Sequence, residues 1–233
     1  MEPTEPVRLS RKLKAIQAVM GFFAWLLLAL PYGRRTTGLE KLDPKRRYLF
    51  VSNHVSLLDT ILLGAVLSRS GNYPILVLGD KAVWKTSWIK SALSRPIGFL
   101  LERGKLNPGR IRELQKYARL VQDFNLVVFP EGTRGNGVEV AVCQPGIYYV
   151  AQESRAVIVP VFIENMHLVS TKQGKFHPLS GLRKIETHFG EPILPEVYLG
   201  MEREAFTELV RRQIAATKPT PPAGRLSPDQ LPG

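Results

Sequence analysis

Asn53-His54-Val55-Ser56-Leu57-Leu58-Asp59 sets a histidine and an aspartate five positions apart, just after the buried, strand-like run 48–52. The residues that follow, 57–68, read as a helix. In open α/β sheets, sites gather where strands end and helices begin. His54 then stands just before the helix and Asp59 one turn into it. The ring can fold back so that one nitrogen meets the carboxylate and the other faces outward as a base. Such a carboxylate fixes the tautomer and stabilises the imidazolium, as in a serine-protease triad without its serine. On its own, the spacing also fits a loop histidine beside a solvated aspartate. A second constellation, Phe129-Pro130-Glu131-Gly132-Thr133-Arg134, follows another strand-like run at 126–129. Its proline and glycine predict a tight turn. Glu131 and Arg134 read as a charged pair held at the strand end. The planar guanidinium fork of Arg134 suits a phosphate, although a surface turn carrying a salt bridge has the same sequence.

The other chemically capable residues carry less. Ser56 reads as the cap of the following helix. Cys143 has no histidine beside it and reads as an idle thiol; as the single cysteine, it also excludes an intrachain disulfide. His167, His177 and His188 have no partners at useful spacing. With four histidines, one cysteine and no H-x-x-x-H, C-x-x-C or H-E-x-x-H pattern, no metal site is expected. A net charge of +12 over 233 residues calls for an anionic partner. A non-catalytic basic protein on anionic membrane or nucleic acid would explain that charge. It would leave the paired constellations unexplained, and nothing resembles a nucleic-acid motif.

Around these residues, strand-like runs at 48–52, 74–78, 99–101, 126–129, 157–163 and 184–189 alternate with helical stretches at 57–68, 83–93, 111–124, 146–153 and 203–216. Trp84 and Trp88 share one face of the second helix, and Pro160 is expected to interrupt its strand. The alternation predicts an α/β single domain with a mostly parallel central sheet flanked by helices. Residues 15–30 form the most apolar run, ending at Pro31, with Arg8, Arg11, Lys12 and Lys14 before it and Arg34 and Arg35 after it. As a helix of about 24 Å, it falls short of a bilayer core of about 30 Å. Basic flanks at both ends fit a membrane-associated segment that enters and leaves on one side. A signal peptide would need an A-x-A-like site, which is missing. The division expected is an anchoring segment at 1–37, a domain at 38–217 and a Pro-rich flexible tail at 218–233.

Taken together, the two constellations resemble the N-H-x-x-x-x-D and F-P-E-G-T-R motifs of the glycerolipid acyltransferases, and most closely the 1-acylglycerol-3-phosphate (lysophosphatidic acid) acyltransferases. Ile97-Gly98-Phe99-Leu100-Leu101-Glu102-Arg103 and Val157-Ile158-Val159-Pro160-Val161 are similar to two weaker motifs of that family. The resemblance spans about residues 40–195. It implies His54 as general base with Asp59 as its partner, and Arg103, Glu131, Gly132, Thr133 and Arg134 on the acceptor's glycerol phosphate. It also implies acyl-CoA or acyl carrier protein as co-substrate with no further cofactor, a lysophospholipid acceptor, and a place at the cytoplasmic face of the inner membrane. One departure bears on the acceptor. Where many relatives carry F-K-x-G, this chain reads Cys143-Gln144-Pro145-Gly146, so a possible phosphate contact is lost and Lys105 is left to compensate. Another lysophospholipid, lyso-ornithine lipid or glycerol phosphate as acceptor, or a phospholipid as donor, fits the same motifs.

Overall fold

The computed structural model describes residues 11–80, 98–101, 106–171, 173 and 175–219. The expected helix at 83–93, Arg103, Lys105 and the tail beyond Pro219 lie outside the described residues. Seven strands form one sheet: β1 (Gly33–Thr37), β2 (Tyr48–Ser52), β3 (Ile75–Asp80), β4 (Gly98–Leu101), β5 (Asn125–Val128), β6 (Val157–Glu164) and β7 (Ile185–Phe189), in the order β1-β7-β6-β2-β5-β3-β4. Every pairing is parallel except β6 with β7. The mostly parallel sheet expected from the alternation of strands and helices is therefore present.

The central strand β2 is buried along its whole length. Such a strand has no solvent face and so no alternation, which is why its sequence reads as a continuous apolar run. One face of the sheet packs Leu49, Val51, Ile158 and Phe162 against the helices Pro108–Ala118, Gly146–Ser154 and Arg203–Ala216. The other packs Phe50, Val127, Val159 and Val161 against the helix Leu57–Arg69, with Leu28 and Tyr32 of the N-terminal helix joining that core.

Three expectations change. The segment 33–37 was expected to belong to the anchor, but it is β1, an edge strand paired with β7. Its sequence, Gly-Arg-Arg-Thr-Thr, has exposed middle residues and so lacks an apolar pattern. Pro160 does not interrupt β6. Its carbonyl accepts from Gly190 N, and the regular ladder with β7 begins only at Val161. The missing proline N–H therefore falls on the side where β6 has no regular partner. The N-terminal helix also does not stop before Pro31. Arg11–Ala24 continues through a π-helical stretch, Trp25–Ala29, and a last turn, Leu30–Tyr32, directly into β1.

Candidate active site

Strands β2 and β5 are parallel neighbours, with Val51 opposite Val128. The chains leave both strands at the same end, so residues three beyond that pair, His54 and Glu131, come together. The backbone N–H of His54 donates to Glu131 Oε1 at 2.9 Å. In return, His54 O accepts from Gly135 N. The two constellations, far apart in sequence, are thus one site.

The helix Leu57–Arg69 begins with a capping box. Ser56 Oγ accepts from Leu58 N at 3.2 Å, and Asp59 Oδ2 accepts from Ser56 N at 2.8 Å. Ser56 is therefore the cap its position predicted, and it also donates to Ser170 Oγ. The same Asp59 oxygen accepts from Val55 N at 2.6 Å and stands 2.9 Å from His54 Nδ1. A carboxylate held by two backbone donors and fully buried presents a fixed acceptor to the ring. With Nδ1–H donated to it, Nε2 is the nitrogen left to act as a base. His54 is half-buried, and its ring stacks on Phe129 at 4.2 Å between centroids. Asn53 fixes the strand end beneath it: its side chain exchanges two hydrogen bonds with the Ile163 backbone at the end of β6.

The F-P-E-G-T-R turn is rearranged relative to its sequence reading. Glu131 and Arg134 do not pair. Glu131 is 2% exposed and spends both oxygens inward, Oε1 on His54 N and Oε2 on Ala141 N at 3.2 Å. Burial raises its pKa above the usual carboxylate range, and the two N–H donors oppose that rise. Its carboxylate therefore staples two loops. Arg134 is half-buried and makes no hydrogen bond or ion pair with another described residue. Gly132 and Thr133 are exposed at the tip, and Gly132 has φ +67°, a conformation that favours glycine. Gln144 lies exposed against that turn: a Cβ on Gly132 would come within 2.8 Å of its Cγ. Cys143 is buried, and desolvation followed by the Glu131 charge pushes its thiol up to about 12, which leaves it inert as a nucleophile.

Sequence reasoning missed Phe129 as a ring platform, the Asn53 clamp and Glu131 as a staple. Phe129 and Glu131 stood in the motif, but only the β2–β5 register reveals what they touch. A cavity of about 300 Å³ lies elsewhere, between the N-terminal helix, β1 and the helix Leu57–Arg69. Arg34, Arg35 and Arg69 line it, and neither His54 nor Glu131 does.

Comparison with known proteins agrees with this architecture. The 1-acyl-sn-glycerol-3-phosphate acyltransferase of Saccharomyces cerevisiae is 28% identical over 206 residues, covering 84% of this chain and 63% of the yeast protein. A lyso-ornithine lipid O-acyltransferase of Pseudomonas aeruginosa is 30% identical over 143 residues, 61% of this chain and 51% of that one. The chain thus spans less than two thirds of the length of either. The crystal structure of the 1-acyl-sn-glycerophosphate (LPA) acyltransferase PlsC from Thermotoga maritima superposes with a TM-score of 0.65, covering 95% of this chain and 86% of that one at 19% identity, which is a likeness of fold. The family model described as acyltransferase matches residues 33–164, from the first residue of β1 to the last of β6. That stretch is more than half of the chain and carries both constellations, and on it the protein belongs to the acyltransferase family.

Proposed function

We propose that the chain transfers a fatty acyl group from acyl-CoA or acyl carrier protein to the free hydroxyl of lysophosphatidic acid, giving phosphatidic acid. The observation that carries this reading is the His54 ring held on Asp59 at 2.9 Å, with Arg134 next in sequence to Gly135, whose amide donates to His54 O, and with no hydrogen bond or ion pair to Arg134 among the described residues. His54 Nε2 takes the hydroxyl proton as the oxygen attacks the thioester carbonyl, a contribution of roughly 10²–10⁴-fold. The tetrahedral intermediate collapses, the C–S bond breaks, and the imidazolium returns its proton to the departing thiolate. Asp59 stabilises the imidazolium in between. The acceptor itself attacks, so the reaction needs no acyl-enzyme and no cofactor beyond the donor.

Arg134 binds the acceptor phosphate, with Gly132 and Thr133 at the turn tip beside it and Arg103 assisting. Glu131 serves by positioning the His54 backbone. A lysolipid lives in the membrane and the donor is soluble, so the site belongs at the membrane surface, on the cytoplasmic face, where both reach it. A second reading has one specific support. Gln144 stands against the Gly132 turn where many relatives carry lysine, and a weaker phosphate site suits a lyso-ornithine lipid, the substrate named for the Pseudomonas relative.

A panel of lysolipids with labelled acyl-CoA separates these acceptors. Arg134→Ala removes one charge-assisted contact, worth roughly 1.5–3 kcal/mol or about 10- to 150-fold in kcat/KM. The expected loss falls on the phosphomonoester, while a lyso-ornithine or other zwitterionic lysolipid is nearly spared. Equal losses on both acceptors would remove the phosphate assignment.

A further inference from the structure

Glu164, Glu186 and His188 meet on one face of the β6–β7 ribbon, on strands that the proposed chemistry does not use. The antiparallel register sets Glu164 opposite Glu186 and Phe162 opposite His188. Residues two apart on one strand share a face, so the sheet itself assembles the three side chains. His188 Nε2 stands 3.5 Å from Glu186 Oε2 and 3.9 Å from Glu164 Oε2. One donor atom from each residue lies within 4.8 Å of the other two. Neither carboxylate reaches a normal hydrogen-bonding distance from the ring.

Three features separate this cluster from a chance meeting of charges. First, His188 is 5% exposed, and its Nε2 is buried without a hydrogen-bond partner although a carboxylate oxygen of each glutamate stands within 4 Å of it. A buried, unpaired ring nitrogen costs free energy unless something fills the gap. Second, the opposite nitrogen, Nδ1, lies 2.9 Å from Thr37 Oγ1 on β1. An outer hydrogen bond at one ring nitrogen orients the ring, and with Nδ1–H donating to the Thr37 hydroxyl the other nitrogen is free to ligate. Third, the separations suit a metal. Zinc bonds of about 2.0–2.2 Å to nitrogen and oxygen imply ligand-to-ligand edges of about 3.3–3.6 Å in a tetrahedron. The two nitrogen–oxygen separations, 3.5 and 3.9 Å, lie within a few tenths of an ångström of that edge, and all three donor atoms lie within 4.8 Å of one another. Arg34 already neutralises part of the charge, but its Nε is 3.5 Å from Glu186 Oε1, which leaves Oε2 facing the cluster.

We propose that Glu164, Glu186 and His188 hold a divalent transition-metal cation of the zinc class, with Thr37 orienting the histidine. Such an ion ties β6 to β7 and, through Thr37, holds the edge strand β1 on which the N-terminal helix ends. Its role is structural and separate from acyl transfer.

The test is calorimetric titration of Zn²⁺ into chelator-treated, full-length protein in detergent, with Mn²⁺ in parallel and thermal melts alongside. One saturable equivalent and a melting temperature that rises with Zn²⁺ and falls back with chelator are expected. Thr37→Val should weaken binding about 10- to 100-fold, as loss of an outer-sphere partner does. His188→Asn and Glu164→Gln should weaken it at least as much. Should His188→Asn fail to fold, Glu164→Gln decides, because that side chain is half-buried at the end of its strand. Absence of saturable uptake by the unmodified protein would overturn the proposal, with a proton alone relieving the ring nitrogen. Uptake undiminished in Glu164→Gln would overturn it too, by placing the metal elsewhere.

Discussion

At the residue scale, the site depends on two buried carboxylates with different tasks. Asp59 Oδ2 accepts from the ring and from two backbone amides, so it fixes both the histidine and the helix start. Glu131 never touches the ring and instead holds the His54 amide on one oxygen and the Ala141 amide on the other. Different variants should therefore fail in different ways. His54→Ala removes the base and should lower kcat by about 10³-fold or more with the fold intact. Asp59→Asn should also be severely impaired, since the amide cannot stabilise the imidazolium. Glu131→Gln sets its NH₂ group against one of the two backbone donors. A buried unsatisfied donor costs about 1–3 kcal/mol, so a lower melting temperature and a lower kcat are expected, with KM for the acceptor little changed. If Glu131→Gln instead raises KM while the melt stays put, the carboxylate reads the acceptor and the staple assignment falls. The motif made Glu131 visible in the sequence, but as the partner of Arg134. Sequence distance suggested that pairing, whereas strand register decides that Glu131 meets His54.

At the element scale, the sequence was most readable where burial is symmetrical and periodic. β2 and the helices Leu57–Arg69 and Arg203–Ala216 lie close to where their apolar runs place them. The edge strand β1 was not readable, because an edge strand with exposed arginines has no apolar face to betray it. His188 gave no signal for a related reason. Its neighbour Glu186 is two residues away on its own strand, but Glu164 arrives only across the β6–β7 pairing. The N-terminal helix holds a further example. Gln17 sits as a lone amide in an apolar run, yet it is 2% exposed. Its Nε2 donates to Ile75 O and its Oε1 accepts from Ile75 N, both at 2.9 Å. The helix is thereby bonded to the start of β3. Beside it, Gly21 lets the helix approach the helix Leu57–Arg69 so closely that a Cβ there would lie 2.5 Å from Ser68 Cβ. Gln17→Leu keeps the helix apolar but strands both Ile75 groups, and should cost about 1–3 kcal/mol in denaturant unfolding in detergent. A variant as stable as the parent would mean that the helix is held by apolar contact alone.

At the scale of the whole molecule, the question is how the N-terminal helix meets a bilayer. Lys14–Tyr32, 19 residues, is long and apolar enough to cross one by length and composition. At 1.5 Å per residue it is about 28 Å long, so the shortfall expected from the 15–30 run shrinks to about one residue's rise. Only 22% of the apolar window is buried, which separates it from a core helix. Yet Gln17, Gly21, Leu28 and Tyr32 all face the domain. A perpendicular span would have to drag the helix Leu57–Arg69 and the start of β3 into hydrocarbon or break those contacts. Lying in the interface satisfies both faces, because Ile16, Val19, Phe22, Phe23, Leu26 and Leu27 all point outward and are 42–70% exposed. Deleting the helix would confuse anchoring with folding, since it would also uncover the core around Leu28 and Tyr32. Replacing Phe22, Phe23 and Leu27 by serine leaves the docked face alone, and each exposed change should cost within about 0.5 kcal/mol of stability. Full burial of such a side chain in an apolar phase is worth about 1.5–3 kcal/mol. The triple variant should therefore lose at least tenfold in binding to anionic vesicles while its melting temperature is nearly unchanged. Activity should fall on vesicle-borne acceptor and persist on a short-chain, water-soluble one. Co-sedimentation equal to that of the parent would put the membrane contact on another surface of the domain.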